Sequence, residues 1–153
     1  MHMIRPAVAA DAPAIRLLEK ELISHERGIM PIIKDGDDVY YKNIPALIAD
    51  AENTIVMVVE KDNKLIGCGM GQIRQNEHYY KHKYFGYIGM MSVAKDYRGK
   101  GLAGEIIQSL IGWFKKKGVA EAQLRVFSNN ENAIKAYKKM GFESYSTDMR
   151  LEI

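Results

Sequence analysis

KDYRGKGLAGEII, residues 95–107, sets Gly99, Gly101 and Gly104 between a strand-like run and a helix-like run. Glycine loses more backbone freedom on folding than any other residue and is costly inside regular structure. At the start of a helix it has a chemical use. The first helical N–H groups have no internal acceptor, and the helix dipole adds partial positive charge. Without Cβ atoms in the way, an anion can approach those N–H groups, and Arg98 and Lys100 add full charges. The stretch reads as a cradle for a phosphate or pyrophosphate. The plainer alternative is a tight strand-to-helix turn whose glycines serve packing alone.

The flanks supply the rest of the fold. YFGYIGMMSV (84–93) is a strand leading into the glycines. After them Leu102, Ile106, Ile107, Leu110, Ile111 and Phe114 recur at helical spacing, and Gly118 stops the helix. TIVMVVE (54–60) and KLIGCGMGQIRQ (64–75) flank the turn KDN, a hairpin signal. Gly67, Gly69 and Gly71 share one face of the second strand, which predicts close approach by another backbone or helix. EAQLRVF (121–127) is a further strand. NNENAIKAYKKMGF is a helix capped by Asn129 or Asn130 and ended by Gly141, and ESYSTDMRLEI alternates like a final strand.

The first third is less regular. A short strand at IRP leads to a helix with Asp11 as N-cap, Pro13 in the first turn and Ile15, Leu18 and Leu22 at helical spacing. Residues 24–38 read as irregular, and DDVYYKNIPALIADAEN as a helix broken near Pro45. Together these elements predict a single α/β domain over residues 1–153. Its central sheet is mixed and mostly antiparallel, flanked by helices, with a β-α-β-α-β C-terminal half.

Composition narrows the function. Of 153 residues, 47% are hydrophobic and 27% charged, the balance of a water-soluble domain. No apolar run approaches the roughly 20 residues that span a bilayer, and the N-terminus has no long apolar core of a secretory signal. No membrane partner is expected. Cys68 is the only cysteine, which excludes an internal disulfide or a Cys-based zinc site; no metal is expected, and a reducing cytoplasm is the simplest compartment. Residues 1–53 hold six Lys/Arg against nine Asp/Glu, and residues 54–153 sixteen against ten. Many of these charges are solvated helix faces, but the basic half also suits a polyanionic ligand. No basic stripe interleaved with stacking aromatics is present, so nucleic acid is not indicated.

Three anion-loop templates compete. A P-loop, G-x-x-x-x-G-K-[ST], fits the Gly99–Gly104 spacing, but Glu105 and Ile106 stand where Lys and Ser/Thr are required. A dinucleotide fingerprint, G-x-G-x-x-G, is met by Gly99, Gly101 and Gly104. Glu121 lies near the offset of the ribose-binding acid but at the start of its strand rather than the end, and the preceding meander does not open as a βαβ unit. A nicotinamide-dependent enzyme therefore stands as an alternative.

The third template is a family. VAKDYRGKGLAGEII resembles the acyl-CoA pyrophosphate loop of the GNAT superfamily of N-acetyltransferases, whose pattern Gln/Arg-x-x-Gly-x-Gly/Ala is here Arg98, Gly101 and Ala103. LRVFSNNENAIKAYKKMGF is similar to the family's second motif, an Asn followed by an Ala, a Tyr and a closing Gly-Phe. IRPAVAADAPAI resembles the usual opening, and residues 24–53 match least. The resemblance implies acetyl-CoA as co-substrate. Met91, Ser92 and Val93 would offer backbone groups to its pantetheine arm. Arg98, Gly99, Lys100, Gly101, Leu102, Ala103 and Gly104 would surround the pyrophosphate, and Asn132 would contact the CoA arm. It further implies a bulge that splays the fourth strand from the fifth, for which Gly89 is the candidate.

The resemblance makes Tyr137 the general acid that protonates the departing thiolate. Ala133, Tyr137 and Met140 share one helical face, so a plain core tyrosine is the alternative. A neutral amine would attack the thioester directly, with a backbone N–H near Met91 at the developing oxyanion. Arg125 stands where relatives that acetylate protein N-termini often carry Glu, and no base is evident; His78, His82, Tyr84 and Tyr87 are the nearby candidates. Glu19, Glu21, His25, Glu26, Asp35, Asp37 and Asp38 would form an acidic lip suited to a cationic small amine, a peptide amine being the other acceptor class. A non-catalytic CoA-binding module of the same fold remains open, as does pairing of two copies through an exposed C-terminal strand.

Overall fold

The computed structural model describes all residues, 1–153. One sheet runs through it in the order β1 (Met3–Pro6), β2 (Thr54–Lys61), β3 (Lys64–Gln75), β4 (Tyr84–Val93) and β5 (Ala122–Leu124). The first four strands are antiparallel neighbours, and β5 joins β4 in parallel. The helices are α1 (Ala12–Ile29), α2 (Ile44–Ala49), α3 (Leu102–Lys116) and α4 (Glu131–Lys139). This is the mixed, mostly antiparallel sheet flanked by helices that the sequence predicts.

The hairpin turns where KDN requires it. Asp62 and Asn63 have φ of 52° and 60°, the left-handed pair whose twist matches two antiparallel strands. The β3 glycines admit α3 onto the sheet: a Cβ on Gly71 would lie 3.0 Å from the Phe114 ring, and one on Gly86 of β4 only 2.5 Å from it. Ile106, Ile107, Leu110 and Phe114 fill that face with Met57, Val59 and Ile88. The opposite face packs Ile15 and Leu18 of α1 and Ile44 of α2 against Val56, Val58, Cys68 and Met70.

The first third departs from expectation in three places. α1 runs past Gly28 to Ile29 and stops ahead of Pro31; Met30 turns extended, as a residue before proline prefers. Asp11 occupies the N-cap position of α1 without capping it. Its carboxylate instead accepts from the Val8 N–H at 2.8 Å and from both terminal nitrogens of Arg5 at 2.8 and 3.1 Å. Pro45 opens α2 rather than breaking it, since the first turn needs no N–H there, and the Asn43 side chain caps by accepting from the Ala46 N–H.

The C-terminal end departs more. β5 is three residues long, and residues 143–153 form no strand, so the expected β-α-β-α-β half closes as β4-α3-β5-α4. A strand requires a partner for its N–H and C=O groups. β5 pairs with β4 only from Gly86–Ala122 to Ile88–Leu124, and Met149, Leu151 and Ile153 of the tail are exposed. The strand edge through which two copies were expected to pair is therefore absent.

A cleft between the split strands and two helices

β4 parts from β5 after Ile88 because β4 bulges. Its register against β3 steps from Met70–Gly89 to Cys68–Ser92, leaving Met90 and Met91 opposite Gly69. Met90 adopts a left-handed φ of 52°, a conformation costing a non-glycine residue about 1–3 kcal/mol. The bulge thus lies one residue beyond the expected Gly89. Ser92 anchors the strand beyond it, its hydroxyl donating to the Leu18 carbonyl at 3.0 Å.

The parting leaves a cleft of about 360 Å³. Met91, Ser92 and Val93 form one wall; Arg98, Gly99, Gly101, Leu102, Ala103 and Gly104 form its floor; Tyr137 closes it from α4. Tyr97, Ala136 and Met140 also line it and were not anticipated, although Ala136 and Met140 flank Tyr137 at neighbouring helical positions. Gly99 and Gly101 have φ of 76° and 83°, and a Cβ at either would meet no protein atom. The N–H groups of residues 99–104 find no acceptor in the protein, backbone or side chain; the first amide engaged is that of Glu105, on the Gly101 carbonyl at 3.2 Å. Six successive donors and a helix N-terminus thus converge beside the cleft. Arg98 is braced there by its Nε, which donates to the Val93 carbonyl at 2.9 Å.

Two residues of the anticipated set lie apart. Lys100 directs its ammonium over the Tyr97 ring, 5.5 Å from the centroid, and is not in the cleft lining. Asn132 is exposed in the first turn of α4, whose contribution to the cleft comes from Ala136, Tyr137 and Met140.

A helix-ending motif holds Tyr137. Asn130 caps α4 by accepting from the Ala133 N–H. At the other end Gly141, with φ of 102°, lets the chain reverse, its N–H donating to the Lys138 carbonyl and that of Phe142 to the Tyr137 carbonyl at 3.0 and 3.1 Å. Burial raises the Tyr137 phenol's pKa above its ordinary value, with smaller contributions from the Glu26 charge and from Tyr87. The phenol is therefore held protonated at neutral pH and able to donate.

Glu26 emerges as the carboxylate coupled to that phenol. It is half-buried near the end of α1, and burial raises its pKa above the usual carboxylate range, opposed by the Tyr41 hydroxyl and by His25. Tyr41 Oη is itself buried with no partner at hydrogen-bond distance. The sequence placed Glu26 in an acidic lip, one member of which, Glu19, lies inside the protein. Glu19 is fully buried and engaged by Arg16 and the N–H groups of Tyr41 and Lys42, while Asp35, Asp37 and Asp38 are exposed. His82 and Tyr84 line a separate cleft with Lys117 and Val119, and Tyr84 stands seven residues along β4 from Met91, roughly 20 Å at strand spacing. Cys68 is fully buried and its thiol is pushed up to about 12, chiefly by burial, so it is no nucleophile. No group of three His, Cys, Asp or Glu is placed to hold a metal, and no helix is long and apolar enough to cross a membrane.

The family model of the acetyltransferase (GNAT) family matches residues 20–142, and the chain belongs to that family. N-alpha-acetyltransferase 30 of Schizosaccharomyces pombe is 37% identical over 60 residues, 39% of this chain and 40% of that one; the match spans about two-fifths of that relative's length. Among solved structures, the tetramutant of BH1408 from Bacillus halodurans superposes with a TM-score of 0.84 at 22% identity, covering 99% of each chain. A predicted acetyltransferase of Clostridium acetobutylicum, solved with acetyl-CoA, superposes with a TM-score of 0.78 at 21% identity, covering 99% of this chain and 96% of that one. These likenesses establish the shared fold. The acid required by the dinucleotide fingerprint is not free: Glu121 precedes β5, and its carboxylate already accepts from Gln123 at 2.7 Å and from Asn76 at 3.4 Å.

Proposed function

We propose that the protein transfers the acetyl group of acetyl-CoA to a primary amine by direct attack. The observation that carries this reading is the run of unengaged N–H groups at residues 99–104, all of which except Lys100 line the same cleft as Tyr137. Those donors, with Arg98, suit a pyrophosphate. The wall made by Met91, Ser92 and Val93 offers strand backbone to an extended pantetheine arm.

Bound acetyl-CoA supplies an acetyl group activated as a thioester. The attacking nitrogen forms an amide bond to the carbonyl carbon as the C–S bond breaks. Tyr137, protonated at neutral pH, gives its hydroxyl proton to the departing sulfur as the thiolate forms. Glu26 takes the first proton from the ammonium, and the second, shed by the attacking nitrogen as the amide forms, restores the Tyr137 phenol. An amine of pKa near 10 is mostly protonated at neutral pH, and a carboxylate whose pKa lies above the usual range is the better base for it. The ammonium before attack is the cationic feature that this reading assigns to the acceptor. A reducing cytoplasm is the compartment we propose.

The test is thermal denaturation with acetyl-CoA and, separately, with NAD(H), followed by release of CoA thiol with mixed amines. Stabilisation by acetyl-CoA and amine-dependent thiol release are expected. Stabilisation by NAD(H) alone would overturn the reading. Stabilisation by acetyl-CoA with no thiol release for any amine would leave a CoA-binding module instead.

A further inference from the structure

On the sheet face beneath α1 the protein assembles a group of cations none of which is in an ion pair. Gln72 and Arg74 alternate along β3, Tyr87 of β4 pairs with Gln72, and Gln123 of β5 pairs with Tyr87. The two-residue period of a strand puts these side chains, and Arg125 just past β5, on one face. It is the face that continues from Cys68 and Met70, against which α1 packs. The Arg74 guanidinium lies 3.8 Å from the centroid of the Tyr87 ring, and the Lys42 ammonium reaches the same ring at 5.8 Å from the loop before α2.

Each cation gains from the ring, but the cations repel one another. The ion pairs of the molecule involve Arg5, Arg16, Arg150 and His2, and none involves Lys42, Arg74 or Arg125. The nearby acids are spent: Glu19 is neutralised by Arg16, and Glu121 is engaged by Gln123 and Asn76. Lys42 is half-buried, and its pKa is lowered by burial first and then by the charges of Arg74 and Arg125, against a smaller opposing effect of Glu19. Like charges held together and partly out of water are stabilised by a bound anion.

The centre of this cluster lies on the strand that runs into the cleft: three residues after Tyr87 the β4 bulge begins at Met90, and Met91 lines the cleft. Tyr87 also contributes to raising the Tyr137 phenol. We propose that the acceptor amine carries an oxyanion, a carboxylate or a phosphate, which Lys42, Arg74 and Arg125 hold around the Tyr87 ring while the amine faces Glu26 and Tyr137. The inference rests on the acyltransferase reading and replaces the wholly cationic acceptor that the acidic lip suggested.

The test uses matched amines that differ in one anionic group: glycine against glycinamide, O-phosphoethanolamine against ethanolamine, and a peptide with acidic leading side chains against its amidated counterpart. In every pair with turnover, kcat/KM is expected to be at least about tenfold higher for the anionic member, roughly one charge-assisted contact. That ratio is expected to collapse toward one in Arg74→Gln and Lys42→Gln, both checked for an unchanged melting temperature. The pair that responds distinguishes carboxylate from phosphate. Preference for the neutral or cationic member, or a ratio that survives both substitutions, would overturn the inference.

A second measurement needs no turnover. Inorganic phosphate titrated into the CoA-saturated protein should perturb the Tyr87 ring signals saturably in wild type and at least fivefold more weakly in Arg74→Gln. No saturable response, or an equal one in the variant, would also overturn it. Failure of acetyl-CoA to stabilise the protein would instead overturn the acyltransferase reading, so the two failures are separable.

Discussion

Tyr137 and Phe142 are joined twice: the Phe142 N–H donates to the Tyr137 carbonyl at 3.1 Å, and the two rings meet edge to face with centroids 6.0 Å apart. The reversal at Gly141 makes both contacts possible. The closing Gly-Phe of the helix therefore positions the phenol above the cleft as well as ending α4, and the ring does not depend on its hydroxyl for support.

Tyr137→Phe follows from that support. It keeps the ring, the edge-to-face contact and the helix end, and removes one oxygen. Thermal stability and acetyl-CoA affinity should be unchanged, while single-turnover acetyl transfer should slow by about 10²–10⁴-fold, the usual contribution of a general acid. Rapid-quench measurement of the chemical step, with acetyl-CoA affinity by calorimetry, checks both parts. An undiminished chemical rate would remove Tyr137 from the mechanism.

Glu26→Gln tests the proton acceptor. At neutral pH kcat/KM should fall by about 10²-fold or more. The defect should shrink as pH approaches about 10, where the amine loses its proton to water unaided. Stability should move the other way. Burial raises the folded-state pKa of Glu26, so its contribution is present below the unfolded value and is lost as pH rises through the folded one. The glutamine variant should escape that loss and melt higher than wild type at neutral pH. Parallel pH profiles of the two proteins would count against Glu26 as base.

Gly69→Ala probes the bulge. A Cβ there would lie 2.5 Å from the Met91 sulfur and 2.6 Å from Ile106 Cγ2. The Met91 side chain can swing aside, into the cleft it lines, but Ile106 is fully buried in the core. The variant should lose about 1–3 kcal/mol of stability, the usual cost of overpacking. It should also bind acetyl-CoA more weakly. Denaturant titration and calorimetry read the two effects; wild-type values in both would show that the bulge tolerates a side chain.

Asp11→Asn addresses the anchor of β1. Asp11 holds Arg5 through two hydrogen bonds, and Arg5 also donates to Glu60 at 2.9 Å. The Arg5 hydrogen bonds hold the Asp11 carboxyl below its ordinary pKa. The stabilisation is therefore full above the unfolded-state carboxylate pKa and disappears as pH falls through the folded one. At neutral pH the variant should be about 1.5–3 kcal/mol less stable, as for a hydrogen bond to a charged group. In strong acid the two proteins should converge; an equal gap at both extremes would contradict this account.

Local chemistry was legible where it acts over a few residues. Gly99, Gly101 and Gly104 announced a bared helix end, Lys61-Asp62-Asn63 a hairpin turn, and Gly67, Gly69 and Gly71 the close approach of another backbone or helix. The Asn130 to Gly141 segment announced both ends of α4. Pro45 was seen but misread, because a proline that breaks a helix and one that begins it differ only in the cap beside it, here Asn43.

The residue pattern alone established the antiparallel meander, the glycine cradle and the tyrosine on α4, since turn dihedrals, helix ends and strand alternation are properties of neighbours in the chain. Folding in three dimensions settled the rest. Whether β5 finds a partner depends on where β4 bulges, and whether the tail makes a strand depends on how much of β5 remains to pair with. The raised pKa of Glu26 and the meeting of Lys42 and Arg74 over Tyr87 come from segments far apart in sequence. Burial and charge act through space, and they are set only when those segments meet.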